Sequence, residues 1–134
     1  MAHKNERVAE AICQAVKDID PQLHLYVMEK GVIGTIAKAK GIATSYELYS
    51  DLAYDDDGNL VITRTHEAHD PERVALRVQR MVLDKQVTSI NGKDIAINGS
   101  SVCVHSDSPG ALEIVKAVRL ALEKSDCKIC SPER

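Results

Sequence analysis

Val102-Cys103-Val104-His105-Ser106-Asp107-Ser108-Pro109-Gly110-Ala111 is the stretch whose reading decides the fold. A short β-branched apolar run ends in His105 and Asp107. Ser108 then offers a capping hydroxyl, and Pro109 suits a first helical position, where a missing N–H costs nothing. The stretch predicts a strand that feeds straight into a helix. In α/β architectures such a junction lies at the carboxyl edge of the sheet, where ligands are usually bound. A proton carrier, a carboxylate and exposed helix N–H groups meet there, so it is the leading candidate site.

Working outward, strands and helices alternate. Asn5 to Ile19 places Val8, Ala11, Ile12, Ala15, Val16 and Ile19 on one helical face, and Asp20-Pro21 stops it. Leu23 to Met28 reads as a strand, Gly31 to Lys40 as a helix closed by Gly41, and Ile42 to Leu48 as a second strand. A polar loop, Tyr49 to Asn59, holds the turn signal Asp57-Gly58 before an extended segment from Leu60 to Thr63. Asp70-Pro71-Glu72 is a helix start, with Val74, Val78, Met81 and Val82 as the buried face. Val87 to Ile90 and Asp94 to Ile97 flank Asn91-Gly92, which predicts a hairpin with a type I′ turn. The last helix spans Pro109 to Glu123, with Ala111, Leu112, Val115, Val118 and Leu122 as its stripe. This is an α/β chain with a mostly parallel core and one β-hairpin insertion. Residues 1–134 read as a single domain, with a loose tail over 125–134. So few core strands cannot close a barrel and leave a sheet edge exposed.

Bulk properties narrow the class. Of the 134 residues 44% are hydrophobic, but only 3% are aromatic, so the core must be aliphatic. Seventeen Lys and Arg against twenty Asp and Glu give a net charge of -3 with the signs well mixed. No basic stripe supports nucleic-acid binding. No apolar run nears the roughly 18 residues of a membrane span, and no secretory signal is visible, so the reading is cytoplasmic. Cys13 and Cys103 read as small core residues. Cys127-Lys128-Ile129-Cys130 is a lone C-x-x-C without partner ligands, and no metal site is assigned.

The candidate residues each carry two readings. His105 and Asp107 alternate with a strand period: His105 serves as general acid or base with Asp107 orienting it or binding a substrate amine, or Asp107 merely caps the next helix and His105 is a satisfied junction residue. Glu47 and Asp51 lie where the second strand ends, either as paired rim carboxylates or as members of a solvated loop. Asp55-Asp56-Asp57-Gly58 is a turn, since the spacing of a calcium loop is not met. His66-Glu67-Ala68-His69 lacks the spacing of a zinc-protease helix, and Gly31 with Gly34 lacks the pattern of a phosphate loop.

Together the segments resemble the second half of the LamB/YcsF family, the A component of ATP-dependent 5-oxoprolinase, some members of which are lactam-utilisation proteins. The resemblance is carried by Glu47-Leu48-Tyr49-Ser50-Asp51-Leu52-Ala53-Tyr54 with Asp57-Gly58-Asn59-Leu60. It continues through Gln79-Arg80-Met81-Val82 and Val87 to Lys93, and ends in Val102 to Asp107 with Pro109. The family's N-terminal motifs are absent, so the match is to the C-terminal half only. Many members have Arg where Leu52 stands and Gly where Ser106 stands, which puts an anion clamp at Leu52 in question.

The resemblance implies part of a deviant, TIM-barrel-like (β/α) barrel of the glycoside hydrolase/deacetylase kind. It implies hydrolysis of the cyclic amide 5-oxoproline to glutamate, with ATP as cofactor and subunits B and C as partners. An N-terminal half or a second copy would complete the barrel, and this half alone would be inactive. Glu47, Asp51, His105 and Asp107 are its expected contribution to the catalytic rim. The alternatives are a non-catalytic interaction or regulatory module, and a metal-dependent deacetylase-like hydrolase of carbohydrate metabolism.

Overall fold

Asn5 opens the first helix by accepting a hydrogen bond from the Val8 N–H on its side-chain oxygen. That bond satisfies a donor which the first helical turn would otherwise leave without a partner. The computed structural model describes residues 2–63 and 68–132. Helix α1 (Glu6–Ile19) ends at Asp20, whose extended backbone is the conformation favoured before Pro21. Strand β1 (Leu25–Val27), helix α2 (Val32–Ala39) and strand β2 (Thr44–Tyr49) form a crossover unit. β1 and β2 are parallel, with Leu25 opposite Thr44 and Val27 opposite Tyr46. Parallel neighbours need such a crossover, and α2 supplies it. Gly41 closes α2 at φ +71°: its N–H bonds Lys38 O, and the next N–H, of Ile42, bonds Ala37 O. That double bond is a glycine-dependent helix terminus.

The chain divides into two compact units: Met1–Glu47 with Gly99–Ser101 and Pro132–Arg134, and Leu48–Asn98 with Val102–Ser131. In the first, Cys13, Ala37 and Ile42 are buried, with Val16, Leu25, Ile33 and Ile36 packed on them. Burial pushes the Cys13 thiol up from its ordinary value, with Lys40 opposing and Glu10 adding to that effect. The thiol is a small apolar core group, as the sequence predicts.

The second unit holds β3 (Ala53–Tyr54), β4 (Leu60–Val61), α3 (Pro71–Leu83), β5 (Gln86–Thr88), β6 (Asp94–Ala96) and α4 (Ala111–Lys124). The Asp70-Pro71 start is realised: the Asp70 carboxylate accepts from Glu72 N, and Pro71 opens the helix. α3 packs on α4, with Val74, Val78 and Met81 buried on one and Ile114, Val118 and Leu122 on the other. The expected α4 stripe is therefore rotated, since Leu112 and Val115 are exposed. Two overlapping apolar rows run along this helix, and the row at i, i+4, i+8 is the one buried.

β3 pairs with β4 and β5 with β6, both antiparallel. Asp55 builds the first turn by accepting from the N–H groups of Asp57 and Asn59, so this acidic run is a turn as predicted. The second hairpin is also as predicted, but its turn differs. Gly92 N bonds Ser89 O and Ser89 N bonds Lys93 O, while Gly92 alone has positive φ, at +83°. A type I′ turn would need Asn91 at positive φ too, so this is the three-residue loop with a glycine bulge.

Strand β7 (Ser101–Cys103) lies next to β2, in the order β1-β2-β7. The bonds Ser100 N to Tyr46 O and Ser50 N to Cys103 O ascend together, so β7 runs in the same direction as β2. The described residues thus form one three-stranded sheet and two separate two-stranded ones. The barrel, and with it the TIM-barrel-like assignment, is overturned. Closure requires every strand to have a neighbour on both sides, whereas β1 and β7 have one each and the hairpin strands pair only within their own hairpins. No helix among the described residues is long and apolar enough to cross a membrane.

The hairpin geometry is directly testable. Gly92→Ala should destabilise the protein by about 1–2 kcal/mol, the cost of a Cβ in the left-handed region. Asn91→Ala should be near neutral in the same urea melts. A large loss at Asn91 would restore the type I′ turn.

Candidate active site

Asp51 is the centre of a polar cluster buried within the second unit. It sits on the Ser50–Leu52 turn between β2 and β3, and its side chain has 0% exposure. A bare carboxylate there would be prohibitive, so its oxygens must be satisfied. The His105 ring Nδ1 lies 2.8 Å from Oδ1. His105 N–H donates to Oδ2 at 3.0 Å, and Ser108 Oγ donates to the same oxygen at 2.7 Å. Burial works to raise the Asp51 carboxyl, but the hydrogen bonds from the His105 ring, Ser108 and the His105 backbone outweigh it and hold the group below its ordinary range.

This arrangement fixes the imidazole. An ionised carboxylate only accepts, so Nδ1 carries the proton toward Asp51 and Nε2 is the basic nitrogen. The His105 side chain is 31% exposed, so the ring spans from the buried acid to the surface. Tyr49, at the end of β2, stacks on it with ring centroids 6.0 Å apart and planes 20° from parallel. The Tyr49 N–H is in turn held by the Tyr54 hydroxyl at 2.9 Å. Chemically the cluster is a carboxylate–histidine pair able to move a proton at Nε2.

Of the four sequence candidates, Asp51 and His105 are brought together. Asp107 is exposed on the turn after His105, because β7 stops at Cys103 and strand alternation no longer applies beyond it. Glu47 is half-buried on β2, the last residue of the first unit's leading segment, and is not part of this cluster. Ser108 is not the helix cap that the sequence predicts: its hydroxyl serves Asp51, and α4 is instead capped by Gly110 at φ +77°. Ser108, Tyr49 and Arg77, whose guanidinium donates to the Ser50 and Leu52 carbonyls beside Asp51, are the members that sequence reasoning misses. An arginine one position from the buried Val78 and three from the buried Val74 is the signal available for Arg77.

Ser50 and Arg77 also line a cavity of about 550 Å³ with His69, Arg73 and Arg80, but neither Asp51 nor His105 is among its described lining residues. Among the described residues no group of three or more His, Cys, Asp or Glu side chains is placed to hold a metal ion. His66 and Glu67 of the His66–His69 segment lie outside the described residues. The implied nucleotide finds no cradle at the glycines of α2. The Val32 N–H donates to His3 O, and a Cβ on Gly31 would stand 2.5 Å from His3 Nδ1, so chain already covers that helix end.

The Asp51 bonds carry a pH dependence. A folded carboxyl that titrates below its unfolded value stabilises the protein fully above the ordinary carboxylate range. That contribution is lost as pH falls through the lowered folded value. Asp51→Asn should cost about 2 kcal/mol at neutral pH, the scale of hydrogen bonds to a charged group. Its urea-melt stability should also fall less between neutral and acid pH than that of the parent. Equal acid sensitivity in both proteins would contradict the assignment. Ser108→Ala, which leaves a buried acceptor short of one donor, should cost about 1–3 kcal/mol.

The model of the LamB/YcsF family matches residues 1–134. The chain is 40% identical over 126 residues to the A component of 5-oxoprolinase from Rhodopseudomonas palustris, covering 92% of this chain and 50% of that protein. It is 38% identical over 135 residues to the A component of 5-oxoprolinase from Campylobacter jejuni subsp. doylei, covering 99% and 53%. The crystal structure of a lactam utilization protein from Thermus thermophilus superposes with a TM-score of 0.84 at 33% identity, over 96% of this chain and 51% of that one. The chain thus spans about half the length of the curated relatives it matches. These relatives are named for 5-oxoprolinase and lactam utilization, which overturns the carbohydrate-metabolism expectation. A family match over its whole length, with relatives near 40% identity and a shared fold, makes this chain a member of the LamB/YcsF family.

Proposed function

We propose that this chain supplies the acid–base pair of an ATP-dependent 5-oxoprolinase, which opens the cyclic amide 5-oxoproline to glutamate. The observation that carries the reading is the Asp51–His105 pair, one partner buried and ionised, the other reaching the surface. Similarity to proteins named as the A component of 5-oxoprolinase supplies the substrate class.

Amide resonance makes both the carbonyl carbon and the nitrogen of a lactam poor reaction partners. Opening needs a water made more nucleophilic and a proton for the departing nitrogen. His105 Nε2 takes a proton from the attacking water as the new C–O bond forms. It returns that proton to the ring nitrogen as the C–N bond breaks, which yields the amine of glutamate. Asp51 keeps the imidazole in one tautomer and stabilises the imidazolium between the two transfers. Tyr49 restricts the ring's rotation. Asp107, on the exposed turn, is assigned to the amine that is released. No step is given to Glu47.

ATP coupling belongs to the assembled complex with B- and C-type subunits, and no step is derived through the nucleotide. Coupled turnover implies a cytoplasmic setting, where that nucleotide is available. The test is 5-oxoproline-dependent ATP hydrolysis with and without B- and C-type subunits. His105→Gln should lower kcat by about 10²–10⁴-fold, the usual worth of positioned acid–base catalysis, with little change in KM. Undiminished turnover in that variant would remove His105 from the chemistry.

A further inference from the structure

We infer that Arg77 is a positioning residue of the Asp51–His105 pair, gripping the backbone on both sides of Asp51 so that its carboxylate meets the 105–108 segment. The catalytic consequence rests on the function proposed above, whereas the geometric claim stands by itself.

The Ser50-Asp51-Leu52 turn is almost wholly buried, at 0%, 4% and 8% exposure. A buried turn has backbone groups that no sheet ladder serves, and each needs a partner. Arg77 reaches across from α3 to provide two of them. Its Nη1 donates to Ser50 O at 2.7 Å and its Nη2 to Leu52 O at 2.5 Å. Both nitrogens belong to one rigid planar group, so the carbonyls that bracket Asp51 are held at a fixed separation. The guanidinium lies 5.7 Å from the centroid of the Tyr54 ring, and the hydroxyl of that ring holds Tyr49 N. One aromatic side chain therefore ties Arg77 to the residue that stacks on His105. On the other side, Ser50 Oγ donates to Cys103 O at 2.7 Å, fastening the turn to β7.

The charge of Arg77 also matters. Burial lowers the guanidinium's proton affinity, and the neighbouring Tyr54 and Asp51 act in the opposite sense. His105 bonds the carboxylate of the buried acid, and Arg77 bonds its flanking backbone. A lysine could keep the charge but could not reach both carbonyls with a fixed fork.

Two variants test the inference, Arg77→Lys and Arg77→Met, each made in the full chain. The readouts are thermal stability, the Asp51 carboxyl titration followed by its ¹³Cγ resonance, and the exchange protection of the His105 Nδ1 proton. In a folded Arg77→Lys protein the Asp51 titration should move upward, and the ring proton should lose protection. In the assembled 5-oxoprolinase assay kcat should fall by about 100-fold, the scale of a small misplacement at a reacting group, with KM little changed. An unshifted Asp51 titration with a protected ring proton in either folded variant overturns the inference. So does an Arg77→Lys protein that fails to fold, because Arg77 would then be a staple of the fold as a whole. Absence of oxoproline-dependent turnover in the parent would count against the functional reading alone, since the two resonance measurements still decide the role of Arg77.

Discussion

A carboxylate without exposed surface dictates the local architecture of the second unit. Asp51 stays ionised only because donors converge on both of its oxygens, and those donors come from the link between β7 and α4. That requirement sets the course of the link. The chain leaves β7 at Cys103, turns so that His105 offers both a ring and a backbone donor, and turns again to bring in the Ser108 hydroxyl. Only then does α4 begin, after a glycine in the left-handed region. A serine followed by proline would ordinarily start a helix. Here the acid has claimed the hydroxyl first.

What the sequence made legible follows from the range of each interaction. Asn5, Asp70-Pro71 and the glycine after α2 act on groups within a few residues, so their roles can be read locally. The hairpin was legible for the same reason, while its turn type was not, because Asn-Gly suits more than one glycine-dependent loop. Ser108 and Asp51 are 57 positions apart, and Arg77 is 27 and 25 positions from the carbonyls it holds. No periodicity encodes such pairs. The buried row of α4 was equally unreadable, since α3 selects Ile114, Val118 and Leu122 over a second apolar row that includes Leu112 and Val115.

The barrel expectation failed for a related reason. Family resemblance describes a longer protein, and this chain covers about half of such relatives. A TM-score of 0.84 over half of the lactam utilization protein is therefore compatible with an open three-stranded sheet in these residues. The bonds among Asp51, His105 and Ser108 lie within one compact unit.

The strands around the pair are too short to hold it rigid by themselves. β7 has three residues and β3 has two, and a ladder of that length fixes little. Rigidity comes instead from side chains that bond backbone: Ser50 to Cys103 O, Arg77 to two carbonyls, Tyr54 to Tyr49 N, and Asp51 to His105 N. Each of these commits a polar side chain to fixing a main-chain atom next to the pair. Acid–base chemistry depends on the reacting nitrogen being held within a fraction of an ångström, and extended strands are the usual means. Where strands are this short, a mesh of side-chain bonds does the same work around the Asp51–His105 pair.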